Sequence, residues 1–198
     1  MTRIIDYYFA PISGYAYLGH RPFLALATET GAQVRFRPIE IGKVFAATGT
    51  TPPAAQSDVR KSYRMQDQAR LAAAQGLPMQ ATPAHWPTAP GLACRAIVSA
   101  GVLGLDQEAA AFACLRAVWA EDRDIADPDQ LAAALDAAGL PAAQVMAEAA
   151  RPEIARAADE CTAAAIAAGV FGSPTYVLGT ERFWGQDRLE LLRDALTA

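Results

Sequence analysis

Strand-forming patterns occur only at the two ends of this chain, and that placement limits its possible folds more than any other feature. Residues Ile4 to Phe9 form a short apolar run that reads as a buried strand. Ala10-Pro11-Ile12-Ser13-Gly14 breaks the run with turn residues. From Tyr15 to about Thr30 the apolar residues recur at helical spacing, and Gly31 fits the stop of that helix. Val34 to Ile39 alternates, predicting a second strand placed near an edge by Pro38. The opening unit is strand, helix, strand, which implies a right-handed parallel crossover. At the other end, Phe171-Gly172-Ser173-Pro174 leads into a strand over Thr175-Tyr176-Val177-Leu178. Gly179-Thr180 turns it into Glu181-Arg182-Phe183-Trp184. Gly185-Gln186-Asp187 then opens an amphipathic helix with Leu189, Leu192 and Leu196 on one face.

Between the ends, residues 42–56 read as a loop rich in Gly, Thr and Pro. Helices are expected at about 57–75, 90–103, 107–120, 128–138, 142–149 and 152–168. Alanine dominates this stretch and favours helix because it loses no side-chain entropy on ordering. Asp127 suits an N-cap, Pro128, Pro141 and Pro152 suit first turns, and Gly139 and Gly169 suit stops. The expected architecture is α/β: a thioredoxin-like mixed four-stranded sheet with a large all-helical insertion. Residues 1–42 and 169–198 form the thioredoxin-like domain, and 43–168 the helical insertion subdomain. With 53% hydrophobic and 19% charged residues, the chain can fill such a core.

The net charge of -4 comes with no basic stripe, so no nucleic-acid partner is expected. Arg60, Lys61 and Arg64, interrupted by Ser62 and Tyr63, read as a solvated helix face. No apolar run reaches membrane-spanning length, and Met1-Thr2-Arg3 enters the strand pattern without a cleavage site, so a cytoplasmic protein without a membrane partner is expected. Cys94, Cys114 and Cys161 lie far apart in helical patterns. They read as buried apolar residues, with neither a disulfide framework nor a metal site.

The thioredoxin fold gives two positions chemical weight. Its proline before the third strand is commonly cis, and Ser173-Pro174-Thr175 stands there; an ordinary trans proline at a strand start fits the local sequence equally. The fold's oxidoreductases carry Cys-x-x-Cys on the turn that opens the first helix. Here that turn reads Ser13-Gly14-Tyr15-Ala16, so dithiol exchange at this turn is excluded. Ser13 reads as an N-cap, and the same hydroxyl, with the free N–H groups of a first turn, is suited to stabilise a thiolate brought by a ligand.

Asp6-Tyr7-Tyr8-Phe9, Ser13, and Tyr15-Ala16-Tyr17-Leu18 together resemble the start of the 2-hydroxychromene-2-carboxylate isomerases, relatives of kappa-class glutathione transferases and of the DsbA group. Gly169-Val170-Phe171-Gly172-Ser173-Pro174-Thr175-Tyr176-Val177 is similar to that family's cis-proline signature, and Phe183-Trp184-Gly185-Gln186-Asp187-Arg188-Leu189 to its glutathione-binding ending. The resemblance covers nearly the whole chain. It implies a glutathione-dependent cis-trans isomerase of an aromatic-derived carboxylate, with glutathione as cofactor and a homodimer as the assembly. Ser13 would hydrogen-bond the glutathione sulfur, the Ser173 backbone beside Pro174 would pair with the tripeptide's cysteine, and Gln186 and Asp187 would meet its γ-glutamyl end.

Trp184 belongs to the same implied cofactor site, although its place in a hairpin also reads as core. Asp187 also reads as a plain N-cap of the last helix. Lys43, His85 and Trp86 are the implied substrate residues: Lys43 for a carboxylate at the pocket rim, His85 as acid/base or wall, Trp86 as wall. An exposed lysine and a structural histidine are the plainer readings, and His20 reads as structural. The chain departs from the family at Gly14, where proline is usual, at Thr50, where an asparagine is common, and at the pair His85-Trp86. A kappa-like glutathione transferase is the alternative enzyme, and a peptide-binding thioredoxin-like protein without catalysis is the alternative of another class.

Overall fold

The computed structural model describes residues 3–198. Strand β1 (Ile4–Phe9) is followed by helix α1 (Gly14–Thr30) and strand β2 (Gln33–Pro38). Six further helices then precede α8: α2 (Ile41–Thr48), α3 (Asp58–Gln75), α4 (Gly91–Val102), α5 (Gln107–Trp119), α6 (Pro128–Ala137) and α7 (Ala142–Ala149). The chain closes with α8 (Pro152–Ala167), β3 (Thr175–Leu178), β4 (Glu181–Trp184) and α9 (Leu189–Thr197). The four strands form one mixed sheet in the order β2-β1-β3-β4. β1 runs parallel to β2 and antiparallel to β3, and β3 is antiparallel to β4. This is the thioredoxin-like sheet that the two ends of the sequence imply, with β2 on an edge where Pro38 is tolerated.

The register brings distant segments together. Tyr8 lies opposite Thr175, and Thr175 lies opposite Trp184. The end of β1, the start of β3 and the end of β4 are therefore at one end of the sheet. The turn carrying Ser13, the Ser173-Pro174 step and the Gly185–Asp187 loop all leave from that end. Helix α1 starts there because Ser13 caps it, its side chain accepting from the Ala16 N–H at 3.2 Å. It stops at Gly31, whose left-handed φ of 66° lets its own N–H and that of Ala32 close on the last turn.

Tyr7 and Phe9 alternate onto the α1 side of β1, where Tyr7 packs on Phe23 (4.7 Å between ring centroids) and on Tyr176 of β3 (5.4 Å). Such pairs contribute about 0.5–1.5 kcal/mol each beyond area burial. The buried side chains continue from this cluster into α4, α5 and α6, and a smaller separate cluster joins Cys94 and Val98 of α4 to Ile154, Ala158 and Cys161 of α8. Cys94, Cys114 and Cys161 are free and buried.

Two expectations about the elements differ from the structure. Residues 42–56 are not all loop: Ile41–Thr48 form α2, which docks one side chain, Val44, and ends at left-handed Gly49. Pro53–Ala55 form a single 3-10 turn. The last helix opens at Leu189, with Arg188 at its N-cap position, so Asp187 is not that cap. Its buried stripe is Leu192 and Leu196, with Leu189 partly covered.

Candidate functional site

The site is built on the turn after β1. Besides capping α1, the Ser13 hydroxyl donates to the backbone carbonyl of Ser173 at 3.1 Å. In return the Ser173 hydroxyl accepts from the Ala10 N–H at 2.9 Å. Ser173–Pro174 is a cis peptide, and the Pro174 carbonyl accepts from the Gly185 N–H at 2.9 Å. Ser13, Ser173 and Pro174 thus meet across more than 150 residues of chain, with the β4 exit held against them. The hydroxyl of Ser13 sits at the positive end of a helix of 17 residues, where partial charge favours an anion.

The Gly185–Asp187 loop lies over α1. A Cβ on Gly19 would fall 2.8 Å from the Gln186 Cβ and 3.1 Å from the Tyr176 hydroxyl, so only glycine there lets the loop approach. Gly185, at φ 111°, has the Asp187 carboxylate close behind it. That carboxylate accepts from Arg188 at 2.7 Å and is exposed. Trp184 is not a core residue: β4 is an edge strand, its ring is half exposed, and it meets Phe171 edge-on at 4.8 Å over Gly172. Thr50 bonds Thr48 at 2.9 Å and reaches the Phe171 carbonyl at 3.4 Å, which places it beside the same loop.

The opposite wall comes from the helical region. Trp86 donates its indole N–H to the Ile12 carbonyl at 2.9 Å, and Trp119 donates to the same oxygen at 3.2 Å. The residue before Ser13 is therefore clamped by two indoles whose rings lie 5.8 Å apart. Gln68 fills the space behind Gly14, its Nε2 only 2.5 Å from where a Cβ would stand, with Trp119 at 3.0 Å. That accounts for glycine at a position where the resemblance leads one to expect proline. Tyr15 donates to Asp67 at 2.8 Å, and burial together with this bond raises its pKa.

Arg64 is not on a solvated face. Its guanidinium lies 5.2 Å from the Trp86 ring centroid, and its Nη1 is enclosed without a hydrogen-bond partner. Burial lowers its pKa. Sequence periodicity alone could not find it, because the ring that covers it arrives from a loop more than 20 residues away.

The remaining candidates stand apart. Lys43, on α2, is gripped by Glu40 at 2.7 Å and Asp159 at 2.8 Å, bonds that raise its pKa with Asp159 the larger contributor. His85 is exposed, near Asp124, whose carboxyl is lowered chiefly by a hydrogen bond from Thr88. His20 is buried behind the site against Tyr7 and is held neutral, its pKa lowered to about 3 by burial. Burial raises all three cysteine thiols, Cys114 to about 12, so none supplies a thiolate near neutral pH. No cluster of metal-binding side chains exists among the described residues. No helix among them is long and apolar enough to cross a membrane.

Residues 4–197 match the family described as DSBA-like thioredoxin domain. The chain is 32% identical to a 2-hydroxychromene-2-carboxylate isomerase of Sphingobium xenophagum, over 99% of each chain. It is 31% identical to the enzyme of that name from Pseudomonas putida, covering 98% of this chain and 94% of that one. A solved 2-hydroxychromene-2-carboxylate isomerase superposes with a TM-score of 0.80 at 29% identity, covering 98% of this chain and 94% of that one. With the serine-bearing turn, the cis proline and these full-length matches, the chain belongs to the 2-hydroxychromene-2-carboxylate isomerase family within the DSBA-like thioredoxin domains.

Proposed function

We propose that this protein is a glutathione-dependent cis-trans isomerase of an aromatic-derived carboxylate of the 2-hydroxychromene-2-carboxylate type. One observation carries the reading: at the head of α1, where oxidoreductases of the fold hold a thiol, stands the Ser13 hydroxyl, bonded to the backbone beside the cis proline. The three thiols of the chain itself are buried and protonated, so a reactive sulfur must come from a ligand. When bound, glutathione supplies a thiolate that adds reversibly to a conjugated double bond, letting the resulting single bond rotate before the thiolate leaves.

The residues of this chain fit that ligand. The Ser13 hydroxyl turns its proton from the Ser173 carbonyl toward the sulfur, and the α1 dipole favours the anion by about 0.3–1 kcal/mol. The Ser173 carbonyl, released, is free to pair with an extended backbone as an added strand would. Asp187, exposed and paired with Arg188 at 2.7 Å, offers its carboxylate for an ammonium group, with Gln186 beside it. Trp86 and Trp119 keep the turn rigid and close one wall against water.

The test is an isomerase assay on 2-hydroxychromene-2-carboxylate with and without glutathione. The reading predicts turnover only with glutathione, with no net consumption of it. Steady release of a stable glutathione conjugate, without isomer, contradicts this and favours a transferase. Tight binding of extended peptides without thiol-linked activity contradicts both.

A further inference from the structure

Several basic side chains meet carboxylates: Arg35 and Arg37 share Asp6, Lys43 lies between Glu40 and Asp159, and Arg116 and Arg123 share Glu121, while Arg3, Arg95 and Arg182 bond backbone carbonyls. Arg64 differs. Its Nη1 is enclosed with no partner, and burial works against its charge. Asp67, one turn further along α3, is taken by the Tyr15 hydroxyl. A guanidinium cannot shed its proton at working pH, so burying it without a counter-charge is costly.

Its location gives that cost a use. The Arg64 guanidinium lies over the Trp86 ring in a cation–π contact, 5.2 Å from its centroid. The same indole is anchored to the Ile12 carbonyl, one residue before Ser13. Tyr15, two residues after Ser13, bonds Asp67, three residues along α3 from Arg64. The residue as a whole is only partly buried. Lys43, by contrast, already carries two carboxylates.

We propose that Arg64 receives the carboxylate of the substrate, with the indole of Trp86 holding the guanidinium in position beside the Ser13 turn. The identity of the acid rests on the isomerase reading; the preference for a planar carboxylate follows from Arg64 itself, whose fork matches two carboxylate oxygens.

The experiment uses chromone-2-carboxylate, a stable bicyclic acid, and its neutral carboxamide as calorimetric probes of the glutathione-loaded and glutathione-free protein. The wild type is expected to bind the acid at least about tenfold more tightly than the amide. Arg64→Gln should remove that preference, and Arg64→Lys should keep part of it. Glutathione affinity should be the same in all three proteins. In the isomerase assay, Arg64→Gln should raise KM for 2-hydroxychromene-2-carboxylate by a similar factor, with a much smaller change in kcat. Equal binding of acid and amide by the wild type, or no binding of either, overturns the proposal, and it does so even if Arg64→Gln fails to fold. An equal loss for acid and amide in the variant also overturns it, since that reports packing. If the acid binds in an Arg64-dependent way but no isomerisation occurs, the isomerase reading fails and the carboxylate site stands.

Discussion

Acidification should weaken this fold through His20. The imidazole is fully buried, its Nδ1 3.3 Å from the Tyr7 hydroxyl and its Nε2 without a partner. Rings of Phe9, Phe36 and Phe112 surround it at 5.5–6.3 Å, and burial, then the Arg21 charge, lower its pKa to about 3. In the unfolded chain the same group titrates near 6.5. Below that pH the unfolded state takes up a proton that the folded state refuses. The contribution is therefore fully present above pH 6.5 and is lost as the pH falls toward 3. Each unit in that window costs about 1.4 kcal/mol, or about 3 kcal/mol between pH 6.5 and 4. Carboxylates titrate in the same range, so the assay compares urea unfolding of the wild type with His20→Leu at pH 7, 6, 5 and 4. The variant loses the Tyr7 contact at every pH, a constant offset. On going to pH 4 the wild type should lose about 3 kcal/mol of stability relative to the variant. Parallel profiles, or an imidazole resonance titrating near 6.5 in the folded protein, would refute the reasoning.

Gly14→Ala should destabilise by about 1–3 kcal/mol, because the new methyl meets Gln68 and Trp119. Adding Gln68→Ala should recover much of that loss, and a thermal-melting double-mutant cycle reads the coupling. All three cysteines should resist an aromatic disulfide reagent in the native protein at pH 8 and react fully in denaturant; fast reaction of one native thiol would contradict their burial.

The sheet was legible because its strands are short apolar runs closed by Gly and Pro, and because two βα-type units at the chain ends admit few pairings. Ser13 and Pro174 were legible for the same reason: each stands at a break in a periodic pattern. Helix α2 was not, since Gly, Thr and Pro dominate the stretch around it and, at 8 residues, it is barely two turns long, too short to show a helical repeat. The core reading of Trp184 fails because hydrophobicity says nothing of which strand is at the edge. Asp187 carries the residue type of a cap, but the chain turns once more at Arg188 before the helix begins. Arg64 and Gln68 lie on a helix whose outward spacing looks solvated. Only the tertiary arrival of Trp86 and of the Ser13 turn shows what they face.

The central claim is that Ser13 ionises a ligand thiol, and the direct measurement is calorimetry of glutathione binding from pH 5 to 9, with thiolate absorbance near 240 nm followed in the same samples. The wild type should bind glutathione and release a proton near neutral pH, and Ser13→Ala should lose that release even where some binding remains. Failure of the wild type to bind glutathione, or identical proton release by Ser13→Ala, would contradict the account.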